Sequence, residues 1–352
     1  MEDRLKELRD RIDQLDDEIL RLLNRRAQLA QEIGRLKDGS VYRPEREAQI
    51  LQRLAASNDG PLSGETIGRL FAEIMSACRA LEQPVAVAYL GPQGTYSEEA
   101  ALRRFGSAAR AVPCASIDEV FREVEAGVVG YGLVPVENST EGAIGRTLDL
   151  LLATSLKVCG EVQLPIHHAL LSRALDLNAV RRVYSHPQSL GQCHEWLGQN
   201  LTHATRVQAA SNAEAARLAS QEEGAAAIAS GKAGEMFRLP ALAENIEDDP
   251  RNTTRFLVIG DQEVAPSGRD KTSLVMSAKN RPGAVHELLA PFAQCGVSMT
   301  RLESRPSRTG LWEYVFFVDI EGHQRDEQVA RALAEMRERA AFLKVLGSYP
   351  AA

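Results

Sequence analysis

From Leu5 to Leu36 the apolar residues step by three and four: Leu5, Leu8, Ile12, Leu15, Ile19, Leu22, Leu29, Ile33 and Leu36. That spacing predicts a long amphipathic helix with one narrow apolar seam. At a rise of about 1.5 Å per residue the helix runs about 50 Å. The shorter helices that follow are too short to cover such a seam, so a second subunit is expected to cover it, in a homodimer or a higher homo-oligomer. Pro44 suits the first turn of a second helix, with Glu47, Ile50, Leu51 and Leu54 on one face. Ser63 can cap a third, carrying Ile67, Leu70, Phe71, Ile74, Cys78 and Leu81, and Gln83-Pro84 ends the helical segment.

The texture then changes to short β-type runs alternating with helical patterns, which predicts an α/β domain. Strands are expected at 85–90, 130–136, 158–164, 180–184, 204–208, 225–229 and 254–260, with a capping box at Ser116–Glu119. Residues 261–270, with Pro266 and Gly268, suggest a linker. Beyond it the order strand, helix, strand, strand, helix, strand matches the βαββαβ ferredoxin-like plan. The expected fold class is therefore multidomain, α and α/β, divided at 1–83 (all-helical), 84–264 (two-lobed α/β) and 271–350 (ferredoxin-like).

Charge narrows the partners. The chain has 41 basic and 48 acidic residues, a net charge of −7 without an extended Lys/Arg run, so neither nucleic acid nor an anionic membrane is an expected partner. Cysteines at 78, 114, 159, 193 and 295 show no C-x-x-C spacing, which argues for a reducing compartment. The N-terminus is too charged for a secretory signal and no apolar run reaches the length of a membrane span, so the cytoplasm is expected.

Residue 26 breaks the seam: an apolar side chain is expected between Ile19 and Ile33, and the residue is arginine. A guanidinium there needs an anion, supplied either by a carboxylate of the chain, such as Glu47 or Glu82, or by a bound polyanion. Lys37 shares the face of Arg26 about 16 Å along the helix. Arg9, about 25 Å away, comes within reach only from an antiparallel partner helix.

In the middle segment, Gly91-Pro92-Gln93-Gly94-Thr95-Tyr96-Ser97 follows a strand and precedes a helix, a place for a carboxylate, but it lacks the lysine of a P-loop. Val134–Ser139 and Ser185–Gln188 each put polar groups just after an apolar run, where open α/β sheets bind ligands. Thr253-Thr254-Arg255-Phe256 opens the last strand, and alternation puts Arg255 on the face opposite Thr254. His167 and His168 likewise face opposite sides, and neither a metal nor a cofactor is expected.

These segments together resemble, over essentially the whole chain, the family in which an all-helical chorismate mutase is fused to prephenate dehydratase and an ACT regulatory domain. LRDRI, RRAQLAQEIGRLK and YRPEREAQIL are similar to the mutase; GPQGTYS, VPVENS, YSHPQ and TTRF to the dehydratase; Asn280–Val285 and Glu303–Pro306 to the two phenylalanine-binding motifs of the ACT domain. The resemblance implies that Arg26 and Lys37 of one subunit and Arg9 of the other bind chorismate. Glu47 would contact the ring hydroxyl, supported by Arg46. Glu82 would face the ether oxygen as a protonated donor, beside Cys78 where the family can have serine. In the dehydratase, Thr254 would be the catalytic residue that helps the prephenate hydroxyl leave. Glu137, Asn138, Ser139, Ser185, His186, Gln192 and Arg255 would line the cleft, with Thr95 and Ser97 on a carboxylate. Asn280, Pro282, Gly283, Ala284, Val285, Glu303, Ser304, Arg305 and Pro306 would hold the effector L-phenylalanine; Val285 stands where many members have leucine. Arg43 stands where some members are acidic and receives no role.

The implied function is conversion of chorismate through prephenate to phenylpyruvate under feedback by phenylalanine. The chemistry suits the residues, since a Claisen rearrangement needs only a held dianion and a donor at the breaking ether bond. Two other readings are a prephenate dehydratase whose helices only dimerise, and a non-catalytic amino-acid sensor. The cations at 9, 26 and 37 favour a mutase over a bare dimer seam, and Thr254 with its polar surroundings favours an enzyme over a sensor.

Overall fold

The computed structural model describes residues 1–36, 39, 41–278, 281–306 and 314–352; Lys37 and Asn280 lie outside the described residues. The chain forms two compact units, one of Met1–Val85 with Phe105–Arg110, the other of Ala86–Arg104 with Ala111–Ala352.

The first unit is helical. Helix α1, Glu2–Leu36, has no buried residue along its 35 positions, and the seam stays open: Ile12 is 56%, Leu15 58%, Ile19 52% and Leu22 58% exposed. Helix α2 spans Pro44–Ala56 with proline in its first turn, and α3 spans Gly64–Ala80, where the Ser63 hydroxyl accepts from the Thr66 amide at 3.2 Å. Both starts are those read from the sequence. A buried ion pair, Glu47 with Arg79, joins α2 to α3. Arg79 also donates to the Phe105 carbonyl and lies 5.2 Å from the centre of the Tyr42 ring.

The second unit holds two α/β lobes and the ferredoxin-like segment. Lobe one contains β1 (Ala86–Leu90), α4 (Tyr96–Phe105), β2 (Arg110–Cys114), α5 (Ile117–Glu125), β3 (Tyr131–Asn138), β4 (Gly142–Ala143), α6 (Gly145–Ala153) and β5 (Lys157–Pro165). Lobe two contains β6 (Ala169–Ser172), β7 (Arg182–Ser185), α7 (Pro187–Gln192), α8 (His194–Asn200), β8 (Thr205–Gln208), α9 (Asn212–Ala219), β9 (Ala225–Ala229), α10 (Gly231–Phe237) and β10 (Ala241–Ala243). The chain then returns as β11 (Thr253–Gly260), placed between β3 and β5 of lobe one and antiparallel to both. The sheet orders are β2-β1-β3-β11-β5, with β4 on β3, and β10-β6-β9-β7-β8. Four of these strands, β2, β4, β6 and β10, go beyond those expected from sequence. β4 and β10 are two and three residues long and β2 carries Pro113 on a partly exposed run, whereas β6 is a buried inner strand of only four residues, too short to show a period.

The last segment follows as β12 (Asp270–Ser277), α11 (Ala284–Gln294), β13 (Met299–Pro306), β14 (Tyr314–Glu321), α12 (Glu327–Arg339) and β15 (Phe342–Pro350), in the antiparallel order β13-β14-β12-β15. Alternation along its strands buries both faces. Leu274, Met276, Val318 and Ile320 meet the helices, while Val275, Val315, Phe317 and Tyr349 share a core with Val136, Leu148 and Leu257 of lobe one. At Gly347 a side chain would overlap the Val158 carbonyl, so glycine lets β15 lie against β5. The segment 261–269 is anchored at two points: Val264 is 3% exposed and its carbonyl accepts from the His323 ring, and Ser267 is buried.

Candidate functional site

A cavity of about 780 Å³ opens between the two lobes, lined among others by Thr95, Asn138, His168, Gln192, Asn212 and Thr254. Among the described residues no lysine or arginine lines it. Its donors for an anion come from the backbone instead. Helices α4, α5, α6 and α9 all begin at its wall, through Thr95, Ile117, Ile144 and Ser211, and the shorter α7 and α10 begin there through His186 and Ser230. Each N-terminus presents backbone amides, of which Ser116, His186, Ser211 and Ser230 each cap one at α5, α7, α9 and α10, and the rest let the cleft suit an anion without a cationic side chain.

The centre of the cleft is where β3 ends and β11 begins. Antiparallel register sets Asn138 directly opposite Thr254. The Asn138 Oδ1 accepts from the Thr140 amide at 3.1 Å, the Thr140 hydroxyl at 2.7 Å and the Glu141 amide at 3.1 Å. Three donors on one oxygen fix the amide group, so Nδ2 donates to Thr254 Oγ1 and to Asn252 Oδ1, each at 2.9 Å. Thr254 Oγ1 is thereby an acceptor from Asn138, and among the described residues nothing takes its own proton. Its hydroxyl is left to donate to a molecule in the cavity.

Asn138, Thr95, Ser97, His186, Gln192 and Thr254 all line the cavity, as the sequence suggests. The Thr95 hydroxyl, however, donates to the Leu90 and Pro92 carbonyls at 3.2 and 3.0 Å, so only backbone amides there remain for a carboxylate. His186 accepts the Gln188 amide on Nδ1, which puts the ring proton on Nε2.

Four expected cleft residues do not line it. Arg255 leaves β11 on the far face and pairs with Glu161 at 2.8 Å and with Asp319 of β14. Glu137 leaves β3 on the same far side and pairs with Arg301 of β13 at 2.9 Å. For both, strand alternation sends the side chain away from that of its cleft-facing neighbour. Ser185 is fully buried and donates to Asn212 Oδ1 at 3.0 Å, holding a lining residue without being one. Ser139 accepts the Thr253 amide at 3.0 Å, where it stitches the two strand ends.

Tyr96, His168 and Asn212 are lining residues that sequence reasoning missed. His168 is 1% exposed; Gln192 Oε1 lies 2.9 Å from its Nε2, and the Tyr96 hydroxyl 2.9 Å from its Nδ1. Burial lowers its pKa from the ordinary imidazole value, and the Tyr96 hydroxyl also donates to the His167 carbonyl at 2.7 Å. The signal was present in the alternation that separates His167 from His168, and for Asn212 in the Ser211–Glu214 cap after β8.

In the helical unit Arg26 is half-buried on the side of α1 that also carries Ala30 and Gly34, and among the described residues it has no ion-pair partner. Gly34 packs against Glu82: a Cβ at 34 would stand 2.7 Å from its Oε2. Glu47 is not the partner of Arg26, because Arg79 holds it. Arg79 sits at the polar end of the α3 stripe and went unremarked in the sequence. Arg9 and Arg46 are exposed, and Cys78 is buried.

Family models match the chain in the same order: chorismate mutase type II over residues 8–83, prephenate dehydratase over 87–264 and the ACT domain over 272–338. The bifunctional chorismate mutase/prephenate dehydratase of Neisseria gonorrhoeae is 54% identical over 98% of this chain and 96% of its own. That of Pseudomonas aeruginosa is 51% identical over 100% and 99%. The chain belongs to the bifunctional chorismate mutase/prephenate dehydratase family. Among solved structures, prephenate dehydratase from Arthrobacter aurescens in complex with L-Phe superposes with a TM-score of 0.70 at 34% identity, over 76% of this chain and 90% of that one.

As a member of this family the chain is an enzyme with two activities, chorismate mutase and prephenate dehydratase, in the biosynthesis of phenylalanine. Its ACT sheet sets the two resembled motifs at one end: Ser277, just before the first, and Arg305, in the second, both pair with Val315 of β14. Pro282, Gly283 and Val285 are exposed and Ala284 is half-buried, as are Glu303 and Arg305, with Ser304 and Pro306 exposed on the edge strand. Arg305 itself turns toward lobe one, pairing with Asp149 at 3.1 Å. All five cysteines are free and buried, and among the described residues no helix is long and apolar enough to cross a membrane.

Proposed function

We propose that the inter-lobe cleft binds prephenate and that Thr254 donates its hydroxyl proton as a hydrogen bond to the departing C4 oxygen. The orientation of Thr254 by Asn138 carries this reading, since it frees the one donor the reaction needs. In the reaction the C4–O bond and the bond to the ring carboxylate break together, carbon dioxide leaves, and the electron pair completes the aromatic ring. The net change takes up one proton and releases water. Thr254 stabilises the leaving oxygen and delivers no net proton; solvent supplies it. The helix N-termini of the wall hold the two carboxylates, with Ser97, Gln192 and the Nε2 of His186 as side-chain donors.

The helical unit is assigned to chorismate. Arg26 and Lys37 of one chain and Arg9 of a second grip the dianion, and Glu82 meets the ether oxygen. The open seam of α1 is covered by a second copy of the chain, each half-exposed leucine or isoleucine gaining roughly 1 kcal/mol on burial. L-Phenylalanine binds at the shared end of the ACT sheet and lowers dehydratase turnover. The five free thiols suit the cytoplasm.

The test is a crossed pair. Arg26→Ala removes conversion of chorismate to prephenate and spares phenylpyruvate formation; Thr254→Val does the reverse. Loss of both activities in either folded variant would contradict separate sites, and wild-type protein that forms no phenylpyruvate from prephenate would favour the sensor.

A further inference from the structure

The hydrogen bonds around Thr254 extend across the cleft. His168 Nε2 meets Gln192 Oε1 at 2.9 Å, and Gln192 Nε2 donates to Thr140 Oγ1 at 3.1 Å. The Thr140 hydroxyl donates to Asn138 Oδ1 at 2.7 Å, and Asn138 Nδ2 donates to Thr254 Oγ1 at 2.9 Å. The directions from Gln192 to Thr254 are determined. Thr140 has a single proton, given to Asn138, so it must accept from Gln192, whose Oε1 is left facing His168 Nε2. Gln192 belongs to α7 in lobe two, and Thr140 to the turn after β3 in lobe one. Thr140 is therefore one of the hydroxyls at which the two lobes meet, Ser230 on the Gly94 carbonyl being another, and it lies one bond from the group that aims Thr254. It is an exposed loop residue that supplies no core packing.

We propose that Thr140 is a positioning residue of the dehydratase: by accepting from Gln192 and donating to Asn138 across the cleft, it fixes the Asn138 amide and so aims the Thr254 hydroxyl at the substrate. The proposal rests on the assignment of Thr254 as the catalytic donor. Without the Thr140 hydroxyl, Asn138 Oδ1 keeps two backbone donors, so its amide loosens without leaving its place. Gln192 meanwhile loses its acceptor across the cleft. The cost falls on orientation in the transition state more than on binding of the ground state.

The experiment uses the full-length chain and follows phenylpyruvate formation from prephenate. Thr140→Val is expected to lower kcat about ten-fold with KM changed less than about two-fold, and Thr140→Ser to recover most of the loss, while chorismate mutase activity and the melting temperature stay at wild-type values. A Thr140→Val kcat within two-fold of wild type, a loss carried by KM alone, or a serine variant as impaired as valine overturns the proposal. Thr254→Val is run beside it. Turnover surviving there removes the premise and the proposal together, whereas its loss with Thr140→Val fully active rejects only the role of Thr140.

Discussion

Thr254 and Arg255 leave β11 in opposite directions, the first into the cleft and the second into the ACT sheet, where Asp319 and the Tyr349 hydroxyl receive it. Neighbours in sequence thus serve two different parts of the unit, and their replacement separates stability from turnover. Arg255→Met leaves the buried Glu161 and Asp319 without their guanidinium, Glu161 keeping Lys271 at 2.7 Å and the Ala352 amide at 3.0 Å. The expected loss is about 3–5 kcal/mol in urea unfolding of the dehydratase–ACT unit. Thr254→Val, nearly the same shape, is expected to change stability by less than about 1 kcal/mol while abolishing dehydratase turnover. Equal stability losses would refute the division of labour.

Acid acts on this unit through His168. Its folded-state pKa lies below the ordinary value of 6.5 because burial disfavours the imidazolium. As pH falls below about 6.5 the unfolded chain takes up a proton that the folded one refuses, so stability declines toward the folded pKa and levels off beneath it, by at most about 1.4 kcal/mol per pH unit. The urea midpoint of the wild type should therefore fall between pH 7.5 and 5.5 by more than that of His168→Gln; parallel declines would show that His168 stays uncoupled from acid unfolding.

In the helical unit, Gly34→Ala sets a methyl group against the Glu82 carboxyl, 2.8 Å from its Cγ and 2.9 Å from its Cδ. The flexible side chain must swing aside. Alanine favours the helix over glycine by roughly 1 kcal/mol, so stability should hold or rise while mutase kcat drops by about ten-fold or more. Dehydratase activity is the internal control, and an unchanged mutase rate would dissociate Glu82 from the rearrangement. A companion variant, Glu82→Gln, keeps a hydrogen-bond donor at this position and should retain mutase turnover where Glu82→Ala loses it.

The seam of α1 sets a prediction about mass. Sedimentation of the wild type should give at least twice the mass of one chain, and Leu15→Lys with Ile19→Lys should shift it toward one chain and abolish mutase turnover, since Arg9 of the second copy is then lost. A wild-type protein that sediments as a single chain would leave the open seam unexplained.

Much of the architecture was legible because it is local. The three-four spacing from Leu5, the caps at Ser63 and Ser116, the proline at 44 and the βαββαβ order each depend on residues within a turn or a strand of one another, and all reappear in the structure. Alternation along the sequence separates Thr254 from Arg255 and His167 from His168. Where it was not applied, at Glu137 and Ser139, the expected cleft residues proved to belong elsewhere.

What the sequence determined by itself was which side chains share a face and which motifs follow one another, because both are set by backbone period. Only the tertiary structure decided that β11 returns from the second lobe to lie against β3, bringing Asn138 to Thr254 across 116 residues of chain, and that Glu47 belongs to Arg79 and not to Arg26. Such pairings follow from how separate surfaces close over a common core, and no period along the chain encodes the partner.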